Sequence, residues 1–337
     1  MSLPVLPARF QAALSAEDGE VRVCASVGPQ GQVVALWSRA GDRPALTPAT
    51  EQPGWATFPD PVASRPVPVR VSVHDPDPVT AALIPELTVG HVTVQPLPSG
   101  RFLIVGARSR WRPDGPDRNA VIYDGDGRVV AQAVLGDGIE HAFAASDGHV
   151  WVGYFDEGVY GNFGWGRPGG DPPVGACGLA RFSPGLRRDW QYPSHVDQPW
   201  GAISDCYALN VTDTDVWACY YTGWPVVRIR DGAVTSWAKH RRGSPRPGGP
   251  RRPGGPVRRA RPDQDRLVTG QLTADGVQVT GEYRVVLPGG RPIPARTQVI
   301  GRGACLHFLT ADSWYRLALT DIPASPGAAG LGEPGRK

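Results

Sequence analysis

Several things are scarce in this sequence, and each shortage excludes something. No stretch approaches the roughly 20 consecutive apolar residues that a helix needs to cross a bilayer, so no membrane span is expected. The opening Met1–Phe10 is interrupted by Pro4 and Pro7 and has no basic start leading into an apolar run, unlike a secretion signal. The five cysteines (Cys24, Cys177, Cys206, Cys219, Cys305) are odd in number and scattered, with no C-x-x-C pair. Neither a disulfide framework nor a structural zinc site is expected, and a reducing, cytoplasmic setting fits better. Cys24, Cys206, Cys219 and Cys305 lie in apolar, strand-like runs, where cysteine serves as a small buried hydrophobe. Helical periodicity is not sustained anywhere. Motifs that announce a chemistry are also missing: no G-x-S-x-G, no H-E-x-x-H, no G-x-x-x-x-G-K-[ST] and no EF-hand loop. The glycine-rich run Gly161–Gly166 does not satisfy G-x-G-x-x-G.

Turn formers and aromatic residues are what the chain does have. In 337 residues there are 43 Gly, 36 Pro and 11 Trp, a composition of many short strands punctuated by turns. Three stretches share one grammar: a hydrophobic strand with aromatic residues, a loop, a second strand, a tight turn and a third strand. They run from Ser99 to Leu135, from Asp147 to Tyr192 and from Asp213 to Trp237. Before each comes a further strand candidate, at His91–Gln95, Ile139–Ala145 and Asp205–Val211. Four short meandering strands per unit make a propeller blade, whose two faces are covered only when blades stack around an axis.

The fold expected is therefore all-β: a β-propeller of about six four-stranded blades, forming one domain over residues 5–320. Glu20–Val27, Gln32–Ser38, Val67–His74 and Val79–Thr88 supply the first blade, around a Pro-rich insertion at Arg39–Pro66. At the other end, Arg296–Ile300, Ala304–Leu309 and Ser313–Leu319 make only three strands. The early segment Leu6–Leu14 is expected to add the fourth, closing the ring by pairing the two chain ends. One blade is expected to be disrupted near 239–266, with only Leu267–Thr273 and Gly276–Leu287 legible.

In that interruption, 20 of the 24 residues at 239–262 are Gly, Pro, Arg or Ala, and eight Arg and one Lys stand there without an acid. Proline at this density cannot occupy central strands. Two readings of the segment stand: a translated frameshift in a GC-rich gene, in keeping with 33 Arg against 2 Lys, and a natural disordered basic loop. Either way the formal charge of +3 misleads, because without this segment the chain carries −6. The segment also lacks interleaved aromatic residues for base stacking, so nucleic acid is not an expected partner. Residues 321–337, rich in Gly, Ala and Pro, read as a disordered tail.

The run Asp147–Tyr154 (DGHVWVGY), followed by Gly178-Leu-Ala-Arg-Phe-Ser183, resembles the repeat of sensor propellers of bacterial two-component regulators, and NHL-type propellers are similar. Trp151–Gly166 (WVGYFDEGVYGNFGWG) and Ser204–Asn210 (SDCYALN) also resemble propeller proteins of high-GC actinobacteria. These resemblances imply architecture; propellers host many unrelated activities, so function has to be argued from the site.

In a propeller, the loop between a blade's second and third strands and the connection to the next blade open on one face. That geometry gathers the Arg108–Arg118 loop, Glu140 and His141, the Tyr154–Ala176 loop, Ser194–Asp205 and Tyr221–Pro225 around one channel mouth. The candidate ligand-binding residues there are Glu140, His141, Asp156, Glu157, Tyr160, Asn162, Trp165, His195, Asp205, Tyr221 and Trp224, with Asp197 and Trp200 beside them. Each has a plainer role available: an acidic turn at Asp156–Gly158, hydrogen-bonded structural histidines, indoles that plug the channel, and an Asp205 that bridges blades. Two functions follow. One is a binding propeller for a protein or small-molecule ligand, expected to be a monomer with no cofactor. The other is a metal-dependent hydrolase or lyase, with Glu140, Asp156, Asn162 and Asp205 around a divalent cation, by chemical analogy with gluconolactonase-type propellers.

Overall fold

The computed structural model describes residues 3–14, 16–51, 54, 57–195, 197–238 and 265–323. Six small sheets are arranged around an axis as a six-bladed propeller. The first blade is Glu20–Val27, Val33–Arg39, Val62–His74 and Pro78–Val89. The second is Val92–Leu97, Arg101–Gly106, Ala120–Tyr123 and Val129–Ala133, and the third is Ile139–Ala144, Val150–Tyr154, Leu179–Phe182 and Arg188–Gln191. The fourth is Asp205–Val211, Val216–Tyr221, Val226–Arg230 and Ala233–Trp237. Each is an antiparallel meander whose first strand lies innermost, and the turns fall where the Gly, Asp-Gly and Pro signals put them. Within the first-blade insertion, Ala49–Glu51 and Thr57–Pro59 pair as a small separate hairpin.

The ring closes by pairing of the chain ends. Gln298–Arg302, Cys305–Leu309 and Ser313–Ala318 form the sixth blade, and Arg9–Ala13 completes it antiparallel to Ser313–Ala318. Closure removes a free edge that would otherwise recruit other strands. The expected strand Leu6–Leu14 is in fact split at Ala8. Upstream of the split, Val5–Pro7 runs parallel to Gly276–Val286 and so belongs to the fifth blade. The reason lies in burial: Leu6 and Ala8 are both buried in a core with Tyr283, Val285 and Leu287.

The fifth blade shows three strands among the described residues, and the interruption expected at 239–266 falls almost wholly outside them. It consists of Val5–Pro7, Gly276–Val286 and Arg266–Thr273, and among the described residues it contributes no innermost strand. The innermost strands of the fourth and sixth blades accordingly meet directly. Asn210 donates from Nδ2 to the Gly303 carbonyl and accepts from the Gly303 N–H, both at 2.9 Å. The fifth sheet shares its buried side chains with the sixth through Phe308, Tyr315 and Leu317, while Val268 and Val279 are exposed. The Arg-rich segment 239–262 and the end of the chain from residue 324 lie outside the described residues. Of the terminal stretch, Asp321 is described, ion-paired with Arg9.

The main core runs between the inner strands and includes Trp151, Tyr154, Phe182, Tyr192, Tyr220, Leu309 and Trp314. Trp217 is only half-buried; it stacks on Trp237 and under the Arg228 guanidinium. In the sixth blade, His307 is fully buried and its Nδ1 accepts from Trp314 Nε1 at 3.1 Å. Burial pushes its imidazole down to about 4 from an ordinary 6.5, with Arg316 and Arg302 adding to the shift. The folded state thus favours neutral His307. Its stabilisation is complete above pH 6.5 and is lost as pH falls towards 4, on the order of 3 kcal/mol in all. Thermal melts between pH 6.5 and 4 should therefore show His307→Gln losing less stability than wild type, and parallel slopes would refute this.

Candidate functional site

The expected loop-rich face exists, and its residues separate into three groups. The first is built by the approach of two backbones. Gly138, in the connection between the second and third blades, lies against Gly158 of the short helix Asp156–Tyr160. A Cβ on Gly138 would stand 2.3 Å from the Gly158 nitrogen, and one on Gly158 would stand 2.4 Å from the Asp137 carbonyl oxygen. Only glycine at both positions allows that contact. It brings Asp137 and Glu157 to opposite sides of Arg108. Arg108 Nη2 donates to Asp137 Oδ2 at 2.9 Å, Nη1 lies 2.6 Å from Glu157 Oε2, and the guanidinium sits 4.5 Å from the Phe163 ring centroid. Nε is 2.9 Å from Asp137 Oδ1 but is not aligned as a hydrogen bond. Asn162 donates to the same Glu157 oxygen at 2.8 Å. Trp165 is buried, and its indole donates to the Ser109 carbonyl.

This group is a buried structural clasp. Arg108 and Asp137 are 4% and 3% exposed, and their charges are spent on each other and on Glu157. Burial raises the Asp137 carboxyl to about 6, against the opposing pull of Arg108 and the Ser109 N–H. Glu157, Asn162 and Trp165, proposed from sequence as ligand contacts, are therefore engaged in holding the long third-blade loop against the second blade. Neither Arg108 nor Asp137 was singled out from sequence. The only signal was Asp137 standing between two glycines in the blade connection.

The second group links three loops on the surface. Tyr160 is 69% exposed, and its hydroxyl is 2.6 Å from Ser204 Oγ, which is 3.3 Å from Thr222 Oγ1. Asp156 is exposed nearby in sequence and accepts from the Glu157 N–H. His195 and Asp197 are also exposed, on a turn where the His195 carbonyl accepts from Gln198 N–H. The half-buried Trp200 donates its indole N–H to the Pro193 carbonyl. None of these is brought to the channel by a contact of its own.

The third group lies on the innermost strands of adjacent blades, at the end facing the loops. Glu140 and His141 are half-buried near the start of Ile139–Ala144, and Asp205 and Tyr207 are half-buried at the start of Asp205–Val211. A Cβ on Gly153 would meet both Cys206 Sγ and His141 Cδ2, so the two strands converge around that glycine. Glu140 and Asp205 both act electrostatically on Cys206, whose thiol is fully buried and pushed far up, mainly by desolvation. A neutral thiol in that state is no nucleophile, in keeping with a cysteine that serves as a small buried hydrophobe. Tyr221 is the cross-strand partner of Asp205 and belongs to an aromatic cluster: Tyr207 and Trp224 lie 4.5 Å apart by ring centroid, and Tyr221 and Trp224 6.1 Å apart. Trp224 is held at φ +58°, a conformation that costs a bulky residue on the order of 1 kcal/mol. Tyr207 was not among the residues proposed from sequence.

Among the described residues, no three His, Cys, Asp or Glu side chains converge as a group able to hold a metal ion. No helix among them is long and apolar enough to cross a membrane. Two cavities lie elsewhere: about 480 Å³ beside Pro7, Arg9, Pro288 and Asp321, and about 240 Å³ beside Gln30, Gln32, Pro96 and Ser146.

No family model matches the chain, and no curated protein matches it. Solved structures similar to it include the Neurospora crassa Pan2 WD40 domain, at 11% identity and TM-score 0.37, over 97% of this chain and 92% of that one. Another is streptogramin B lyase, at 11% identity and TM-score 0.35, over 92% and 97%. A third is the extracellular domain of a one-component system of B. thetaiotaomicron, at 10% identity and TM-score 0.34 over 92% of this chain. This chain spans 40% of that protein's length.

The buried clasp makes a clear prediction. Arg108→Met should destabilise the protein by roughly 3–5 kcal/mol, because it strands the buried Asp137 carboxylate. Adding Asp137→Leu should recover part of the loss. Urea denaturation midpoints test both, and a single variant as stable as wild type would show the clasp to be dispensable.

Proposed function

We propose that this propeller is a binding module, and that its loop-rich face takes a small polar ligand with a flat surface at the junction of the third and fourth blades. The observation that carries this reading is the cluster of Tyr207, Tyr221 and Trp224 beside Asp205, with Trp224 kept in a strained backbone conformation. Aromatic faces offer stacking area at little entropic cost, and a neighbouring carboxylate accepts hydrogen bonds from the stacked group. A half-buried Glu140 on the adjacent innermost strand adds a second acceptor.

The competing reading, a metal-dependent hydrolase or lyase, draws its support from the same two carboxylates. A hard cation needs six or more oxygen ligands, several from the protein. Of the four side chains proposed for that role, Asn162 is engaged with Glu157 and Asp156 is exposed on the short helix.

Thermal melting separates the two. In a panel of sugars and nucleosides, one class should raise the melting temperature saturably, by mass action. That rise should vanish in Trp224→Ala and Asp205→Asn. A saturable rise with Ca²⁺ or Mn²⁺ that is lost in Glu140→Gln would overturn the binding-module reading in favour of metal chemistry.

A further inference from the structure

At the opposite end of the channel, where first and second strands are joined by tight turns, the innermost strands are tied together by side-chain to main-chain hydrogen bonds. Ser26 Oγ donates to the Val94 carbonyl, linking the first and second blades. Gln95 Oε1 accepts from the Ala144 N–H at 3.0 Å, linking the second and third. Arg302 Nη2 donates to the Ala144 carbonyl, linking the sixth blade to the third, which is not its neighbour in the ring. That last bond crosses the axis.

Arg302 and Gln95 are unusual in what they leave over. Arg302 is 5% exposed and Gln95 fully buried. Among the described residues, Arg302 Nε and Nη1 and Gln95 Nε2 have no hydrogen-bond partner. The guanidinium lies 5.5 Å from the Phe143 ring centroid and forms no ion pair among the described residues; Asp213 is the carboxylate acting on it. Asp213 is itself exposed and accepts from Ser146 Oγ at 2.7 Å. A buried cation with spare donors and no counter-charge is expensive, because its desolvation is not repaid. Every unmatched group here is a donor, and the two side chains bond to the same residue, Gln95 to the Ala144 N–H and Arg302 to its carbonyl, so the donors share one locality. The cavity of about 240 Å³ is lined by Pro96 and Leu97, which follow Gln95, by Ser146, two residues after Ala144, and by Gln30 and Gln32.

We propose that this turn-side end of the channel is an anion site, in which Arg302 and Gln95 donate to a compact oxyanion of the phosphate, sulfate or small-carboxylate class. The guanidinium fork suits planar or tetrahedral oxyanions. The site is independent of the loop-rich face, since it lies at the other end of the inner strands. A bound anion would also neutralise the charge that spans the axis, making anion binding and ring stability one equilibrium.

Isothermal titration with sodium phosphate, sodium sulfate and sodium acetate, at constant ionic strength, tests the proposal. At least one should bind saturably to wild type, and which one does so distinguishes the inorganic oxyanion from the carboxylate. Arg302→Met should lose the binding. Because that variant removes a contact across the ring, Gln30→Glu provides a second test: the residue is exposed on the cavity rim, and an added negative charge should weaken binding severalfold while the fold is kept. Phosphate and sulfate raise the melting temperature of most proteins by exclusion from the surface. The informative melting result is therefore the difference between wild type and Gln30→Glu in the same salt. Heats of dilution alone for all three anions, or equal affinity in wild type and Gln30→Glu, would overturn the site.

Discussion

The bond from Arg302 across the axis to the Ala144 carbonyl joins two blades that are not neighbours, and the ring geometry leans on it. A propeller's blades touch mainly through apolar faces, which resist separation but slide easily. Directional bonds at the strand ends fix the rotation of one blade against the next. Here they run from Ser26 to Val94, from Gln95 to Ala144, from Arg302 to Ala144 and between Asn210 and Gly303. With the strand pairing of Arg9–Ala13 and Ser313–Ala318 they turn a row of sheets into a closed body.

The same stitching holds the ring where the fifth blade sits. The fifth blade brings no innermost strand among the described residues, yet the fourth and sixth blades are bonded to each other at the turn-side end. The fifth sheet keeps its place by a different device, a shared apolar core with the sixth and a parallel strand borrowed from the start of the chain. The loop-rich face has its own anchor. Arg108, clamped between Asp137 and Glu157 and packed on Phe163, holds the long third-blade loop where the inner strands open. Several polar groups that look functional in the sequence are engaged in that anchoring.

Legibility differed between fold and site. Strand alternation, Gly and Asp-Gly turns and the repeated aromatic strand marked the blades, because these are local signals with a period of two and a tight turn at each end. The split at Ala8 was not legible, since whether Leu6 joins the fifth or the sixth blade depends on Tyr283 and Val285, nearly the whole chain away. Of the site residues, Glu140, His141 and Asp205 lie near the starts of innermost strands, with Tyr221 and Trp224 at the end of the next strand and the loop after it. Glu157, Asn162 and Trp165 were on that face too, but their partners were set by the contact of Gly138 with Gly158. Tyr207 and Arg302 carried no local mark of their position in the channel.

The sequence by itself determined the all-β class, most of the blade boundaries and the closure by chain ends. Each of these follows from patterns within about ten residues or from composition. Tertiary structure alone decided which polar side chains are spent on one another and which are left facing the channel. Hydrogen-bond and charge partners are matched across blades, between residues far apart in the chain, and no short-range pattern encodes that matching. Arg302 is the clearest case: in sequence it is one of 33 arginines, and only the closed ring buries its guanidinium on the axis with donors to spare.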